Sequence, residues 1–281
     1  MHPRSTQARR HHSISCIPLL DLTDTKSFTT NLGKGILNET HPTFVGVYNG
    51  IVSYPGVAQA IESSDLVINT GPLLSDSNTG GFTRFIKPEH VVEIHSDHVI
   101  FKGQQYLNVT MKSCTPPSSQ PNQVLNRLIN HINGDKLPKV TKPELPARPV
   151  PQDHDSKKIV QSWIWGRIGQ FLKPGDILLA ESGTAQFGMP DASFPENITY
   201  ITQQFYSSIG YSVGGCLGAA LALREKKKGA KVEYMPDGGL NSQGQGRVIL
   251  IVGDGSLQMT VQEIGTMVKA GLTPIMYFLL L

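Results

Sequence analysis

Short apolar runs alternate with amphipathic or small-residue stretches along most of this chain. "SFTTNLGKG" predicts a strand entering a glycine turn, and "GVAQAIESS" a short helix with Val57, Ala60 and Ile61 on one face. "DLVINTG" and "HVVEIHSD" predict strands, and "VLNRLINHI" a helix that closes this first series near residue 134. A second series opens with the helical pattern "KKIVQSWIWGRIGQFL", then the strand "GDILLAESG" and the small-residue helix "SSIGYSVGGCLGAALAL". The strand "RVILIVGDG" leads into the helix "SLQMTVQEIGTMVKAG", with Leu257, Val261, Ile264 and Val268 expected on its buried face, and "TPIMYFLLL" begins another strand. Strands apolar on both faces and separated by helices imply parallel sheets covered on both sides. The expected fold class is therefore α/β: two doubly wound parallel-sheet domains, the second incomplete. The expected limits are an unmatched N-terminus over 1–17, one domain over 18–134, a Pro-rich linker over 135–155 and a second domain over 156–281. A polar, glycine-rich insertion is expected at about 224–246.

Composition narrows the functional classes. The chain has 281 residues and a net charge of +3 from 25 basic and 22 acidic side chains, an excess too small and too scattered to indicate nucleic acid. The run Arg224 to Lys228 reads as a solvated loop. Cys16, Cys114 and Cys216 stand far apart with no C-x-x-C pair, which suggests neither a disulfide framework nor a zinc site and favours a reducing compartment. No apolar run reaches membrane-helix length, so no membrane association is expected. The basic, acid-free opening "MHPRSTQARRHHSIS" is too poor in apolar residues for an amphipathic presequence and reads as disordered or foreign.

The chemistry should lie at strand ends, because ligands of open α/β sheets gather beyond the carboxyl ends of the strands. Two such ends carry unusual residues: Glu181-Ser-Gly-Thr184 and Gly253-Asp-Gly-Ser256. Gly253 and Gly255 permit a tight turn whose amides approach a ligand closely, and Ser256 is placed to cap the following helix. A helix start offers unpaired N–H groups to a phosphate, and Asp254 there makes sense if a divalent cation bridges carboxylate and phosphate. By spacing alone, a turn with an aspartate cap and a metal site stay equally open. A nicotinamide site is disfavoured, because no G-x-G-x-x-G follows a strand. His95 and His98 in "EIHSDH" invite a metal reading but read as structural.

The wording of these segments is more specific than their spacing. "GDGSLQMTVQEIGTM" and "AESGTAQFGMPDASFPENITYITQQFYSSIGYSVGGCLGAALA" resemble the cofactor-binding segments of thiamin-diphosphate-dependent 2-oxo acid decarboxylases, above all fungal pyruvate decarboxylases. "LGKGILNETHPTFVGVYNG", "SSDLVINTGPLLSDSNTGGF" and "VEIHSDHV" resemble that family's central, Rossmann-like domain. The resemblance implies thiamin diphosphate and Mg²⁺ as cofactors. It also implies non-oxidative decarboxylation of a 2-oxo acid to an aldehyde (pyruvate first, indolepyruvate and phenylpyruvate behind it), a dimeric or tetrameric assembly and a cytoplasmic location. Carried over residue by residue, Asp254 would ligate the metal, and Gly255 and Ser256 would flank the diphosphate. Gly183 and Thr184 would lie near the diphosphate and aminopyrimidine. Ser208 and Ile209 fall in the segment that contacts thiamin, with Ile209 at the bulky apolar position that props the cofactor into its bent shape. Ser207 stands where such enzymes commonly have glycine.

Departures from the family pattern shape the remaining expectations. The pyrimidine-binding domain, which supplies a catalytic glutamate and a histidine pair, has no counterpart in residues 1 to 17. The metal motif's Asn-Asn pair would fall at Leu280 and Leu281. The chain is therefore expected to be a fragment with no catalytic residue of its own, inactive alone. The alternative is a non-catalytic partner or regulatory chain of full-length family subunits, or a remnant.

Overall fold

The computed structural model describes residues 24–107, 109, 111, 124–132, 142–146, 158–227 and 246–280. Contacts divide the chain into two units, Met1–Thr30 with His41–Pro146, and Asn31–Thr40 with Ala147–Leu281. The division falls inside the expected linker, but residues 31–40 belong to the second unit rather than to the 18–134 domain. Cys16, Cys114, most of the linker and residues 228–245 of the expected insertion lie outside the described residues; residues 224–227 close a helix instead.

In the first unit, β1 (Ser27–Thr29) pairs in parallel with β2 (Phe44–Val47). Helix α1 (Val57–Glu62) buries Val57, Ala60 and Ile61, the face its spacing predicts, in a cluster with Val45 and Tyr48. The second sheet runs β3 (Val67–Thr70), β4 (Val91–Ile94), β5 (His98–Phe101) and β6 (Gln104–Leu107) in that order. Between β3 and β4 lies the short helix α2 (Asp76–Thr79), capped by the Ser75 side chain. Only β3 and β4 pair in parallel; β4–β5–β6 is an antiparallel meander, a departure from the expected parallel sheet. Its second turn is Lys102-Gly103, both with positive φ, the two-residue geometry whose twist suits a hairpin. Helix α3 (Val124–His131) packs Leu125 against Ile94 and Val99.

The second unit is doubly wound, as its pattern predicts. Helix α4 (Gln161–Phe171) starts later than the "KKIV" pattern suggests, because no side chain caps it and Val160 is extended. Then come β7 (Ile177–Ala180), the short helix α5 (Thr184–Gly188), β8 (Thr199–Thr202) and α6 (Tyr211–Lys227). The unit ends with β9 (Val248–Gly253), α7 (Asp254–Gln258), α8 (Gln262–Lys269) and β10 (Ile275–Leu279). The strands are all parallel, in the order β10-β9-β7-β8. Period-two alternation gives the sheet two apolar faces. Leu178, Ala180, Ile249 and Ile251 pack against Trp165, Ile168 and Phe194, while Ile177, Leu179, Leu250 and Val252 pack against Val213, Cys216 and Met267. Gly215 lets α6 lie close to Leu179, since a Cβ there would stand 3.1 Å from its Cδ2.

The single helix expected over residues 256–271 is broken into α7 and α8 at Met259–Val261. The break resets the helical phase. Met267 is the buried side chain, whereas Val261 and Val268, expected inside, are 50% and 72% exposed.

Two polar clusters brace this unit. Lys34 Nζ bonds both carboxylate oxygens of Glu39 at 2.9 Å and the Ala192 carbonyl at 2.7 Å, and Glu39 accepts from the Phe194 amide at 3.0 Å. At the start of β7, buried Asp176 accepts from the Arg247 amide (3.0 Å), Nε (3.1 Å) and a terminal guanidinium nitrogen (2.6 Å), and from the Lys173 amide (2.9 Å). Hydrogen bonding to Asp176 holds the Arg247 guanidinium above its ordinary pKa.

Candidate cofactor site

Strand order locates the site before any side chain is considered. From β7 the chain passes to β8 on one side, then returns to β9 on the other. Connections leave β7 and β9 in opposite directions, and a crevice opens between their carboxyl ends, the preferred ligand position in such sheets. A cleft of about 260 Å³ lies there, lined by Glu181, Ser182, Gly183, Thr184, Ala185, Gly253, Asp254, Gly255, Ser256 and Leu279. That volume is below the roughly 300–1,000 Å³ of a pocket that encloses a whole ligand, so the cleft suits one end of a larger molecule.

The walls are bare backbone. A Cβ built on Gly183, Gly253 or Gly255 would meet no atom within 4 Å, so side chains there would project into open space. Gly183 has φ 128°, a conformation that L-residues rarely adopt. It is the N-cap of α5, and Gly253 is the N-cap of α7; neither helix start has a side-chain cap. The first N–H groups of both helices have no intrahelical partner and suit an anion. Ser256 lies inside α7 rather than capping it, which corrects the expected role, because the helix already begins at Asp254. Its hydroxyl and those of Ser182 and Thr184 belong to lining residues, as does the exposed carboxylate of Asp254.

The structure thus gathers Gly183, Thr184, Asp254, Gly255 and Ser256 into one cleft. Ser208 and Ile209 are not among its lining residues; they occupy the turn between β8 and α6, beyond the carboxyl end of the neighbouring strand. Ile209 is 61% exposed, not packed in the core. Ser207 takes φ 49°, a left-handed conformation that explains why glycine suits this position.

Glu181 is the residue whose part the sequence did not reveal. It is 2% exposed, and its carboxylate accepts from the amides of Ser182 (3.0 Å), Gly210 (3.1 Å) and Ser212 (3.3 Å) and from the Ser212 hydroxyl. Its position at a strand end was the available signal; its partners lie 29 and 31 residues onward.

His95 and His98, in the first unit, stack with ring centroids 4.2 Å apart and 9° between planes. Each pairs with a different carboxylate, His95 with Glu93 at 3.2 Å and His98 with Asp97 at 2.8 Å. Among the described residues no group of three or more His, Cys, Asp or Glu is suited to hold a metal ion, and no helix is long and apolar enough to cross a membrane.

Two domain families match this arrangement. Residues 9–112 match the thiamine pyrophosphate enzyme central domain, and residues 181–280 the thiamine pyrophosphate enzyme C-terminal TPP binding domain. The chain belongs to the thiamine pyrophosphate enzymes. The first match begins within residues 1–17.

Within that family the chain is similar to fungal pyruvate decarboxylases. It is 40% identical over 266 residues to the pyruvate decarboxylase of Candida glabrata and 40% identical over 268 residues to pyruvate decarboxylase isozyme 1 of Saccharomyces cerevisiae. Each comparison covers 93% of this chain and 42% of the relative, so the chain spans less than half the length of these curated relatives. The crystal structure of benzoylformate decarboxylase from Polynucleobacter necessarius superposes with a TM-score of 0.63 over 95% of this chain and 45% of that one. At 17% identity it shares the fold.

Proposed function

We propose that this chain holds the diphosphate end of thiamin diphosphate, with Mg²⁺, for the non-oxidative decarboxylation of a 2-oxo acid, pyruvate first, in the cytoplasm. The observation that carries this reading is the cleft at the switch point between β7 and β9, walled by uncapped helix starts and glycine backbone with one exposed carboxylate at its edge. The donor set fits the group. Gly183, Thr184, Gly255 and Ser256 would take phosphate oxygens through N–H and hydroxyl groups. Asp254 would supply a carboxylate for Mg²⁺, a cation that needs few protein carboxylates when phosphate oxygens and water are at hand. When bound, thiamin diphosphate supplies the electron sink for the pair left as CO₂ departs. The residues of this chain bind and orient it. Turnover is proposed for an assembly in which these two domains meet a pyrimidine-binding domain of the same family.

The test is calorimetric titration of the chain with thiamin diphosphate and Mg²⁺, alongside Asp254→Ala. Binding in the micromolar range that disappears in the variant is expected. A parent chain that does not bind, or a variant that binds equally well, overturns the assignment.

A further inference from the structure

The turn carrying Ser208 and Ile209 has little apolar anchorage. Phe205, Tyr206 and Ile209 are 38%, 70% and 61% exposed, so packing does not fix its position. Hydrogen bonds at Gly210 hold it instead. The Gly210 amide donates to Glu181 at 3.1 Å, and its carbonyl accepts from the Thr260 hydroxyl, at the α7–α8 break, at 2.8 Å. Gly210 has φ 88°, and a Cβ there would lie 2.9 Å from that of Met259, so the residue fits only as glycine. On the far side, Ser212 gives both its amide and its hydroxyl to the same Glu181 carboxylate.

We propose that Glu181 is a positioning residue: its buried carboxylate clips the Ser207–Ser212 turn to the end of β7 and so sets where Ser208 and Ile209 stand relative to the cleft. The juxtaposition that supports this is one carboxylate that lines the cleft and also accepts the hydrogen bonds of the neighbouring turn. A ligand confined to the cleft depends on Gly183 and the Asp254 segment; a ligand long enough to reach the turn depends on Glu181 as well. An uncharged amide at 181 has nearly the same shape, but it puts an N–H₂ donor opposite a donating amide of Gly210 or Ser212 and releases the clip. The inference rests on reading the cleft as a diphosphate seat, and its test separates the two.

Glu181→Gln and Ser212→Ala are compared with the parent chain by hydrogen exchange and by calorimetry, using thiamin diphosphate and inorganic pyrophosphate as separate probes, each with Mg²⁺. In Glu181→Gln, exchange across residues 207–212 is expected to quicken by about tenfold or more while β7 and β9 keep their protection. Thiamin diphosphate affinity should fall by about tenfold or more, and by about fivefold more than pyrophosphate affinity, since Glu181 also lines the cleft in which pyrophosphate would sit. Ser212→Ala, which leaves the charge in place, should show the same pattern more weakly and decides the matter if Glu181→Gln does not fold. Unchanged exchange over 207–212, or equal weakening of both probes, overturns the proposal. A parent chain that binds neither probe refutes the diphosphate reading, and the exchange result then decides by itself whether Glu181 holds the turn.

Discussion

Gly255→Ala separates a glycine the fold needs from one a ligand needs. Gly255 is the second residue of α7, lies exposed in the cleft wall, and has no atom within 4 Å of where its Cβ would be. Alanine there meets no clash, and in a helix it is favoured over glycine by about 0.5–1 kcal/mol, with the lower value apt for so short a helix. Urea denaturation should therefore show a midpoint equal to or slightly above the parent's, with the same slope. Binding should move the other way. The added methyl enters the space where phosphate oxygens would approach the first-turn amides of α7, and each charge-assisted hydrogen bond lost is worth about 1.5–3 kcal/mol. One lost bond weakens thiamin diphosphate by roughly ten- to a hundredfold. Calorimetry in the presence of Mg²⁺ measures it. An affinity equal to the parent's would show that the diphosphate does not lie against this glycine. A stability loss above about 1 kcal/mol would show that the glycine serves the fold instead.

Asp176→Ala should cost about 2–4 kcal/mol by urea denaturation, because it leaves the amides of Arg247 and Lys173 without an acceptor and the part-exposed Arg247 guanidinium with the Phe171 carbonyl; a loss under about 1 kcal/mol would mean the cluster contributes little. Gly210→Ala should cost about 1–3 kcal/mol for its left-handed backbone and quicken exchange across the turn, and a neutral effect would show that the turn relaxes freely. Burial pushes the Cys216 thiol up to about 12, so the unfolded chain loses this proton first as pH rises above about 8.5, and the folded state falls behind by at most about 1.4 kcal/mol per pH unit until the folded thiol ionises. The urea midpoint of Cys216→Ala, measured against the parent's, should improve steadily from pH 8 to pH 10, and parallel pH profiles would contradict this.

The parts of the structure legible in the sequence are those whose constraint is local. Val57, Ala60 and Ile61 mark a helix face by spacing alone, and the run at Val248–Val252 can only be a strand buried on both sides. The glycines of the cleft were legible for the same reason, since a bare turn at a strand end requires them. Other features depend on geometry that spacing does not carry. The Lys102-Gly103 hairpin was hidden because lysine seldom takes positive φ. The exposure of Val261 and Val268 followed from a break after α7 that leaves apolar periodicity intact on paper. The placement of residues 31–40 in the second unit accompanies an ion pair, Lys34 with Glu39, whose backbone partners Ala192 and Phe194 lie more than 150 residues away.

Glu181 shows why that distinction matters for the site. A cleft walled by glycine has no side chains of its own to hold its shape, so the groups behind it must do so. At one end of the strands Asp176 ties the starts of β7 and β9 together through Arg247; at the other, Glu181 joins the end of β7 to the α6 turn. Thr260 then ties the same turn to the segment after β9. Asp176 and Arg247 lie outside the segments that carry the resemblance and Glu181 and Thr260 lie within them, yet none of the four was among the expected site residues; Glu181 and Thr260 together set where Ile209 stands relative to Gly183 and Gly255. Motif residues accordingly report which ligand the sheet was built for, and the buried carboxylates behind them determine whether a given chain can still hold it.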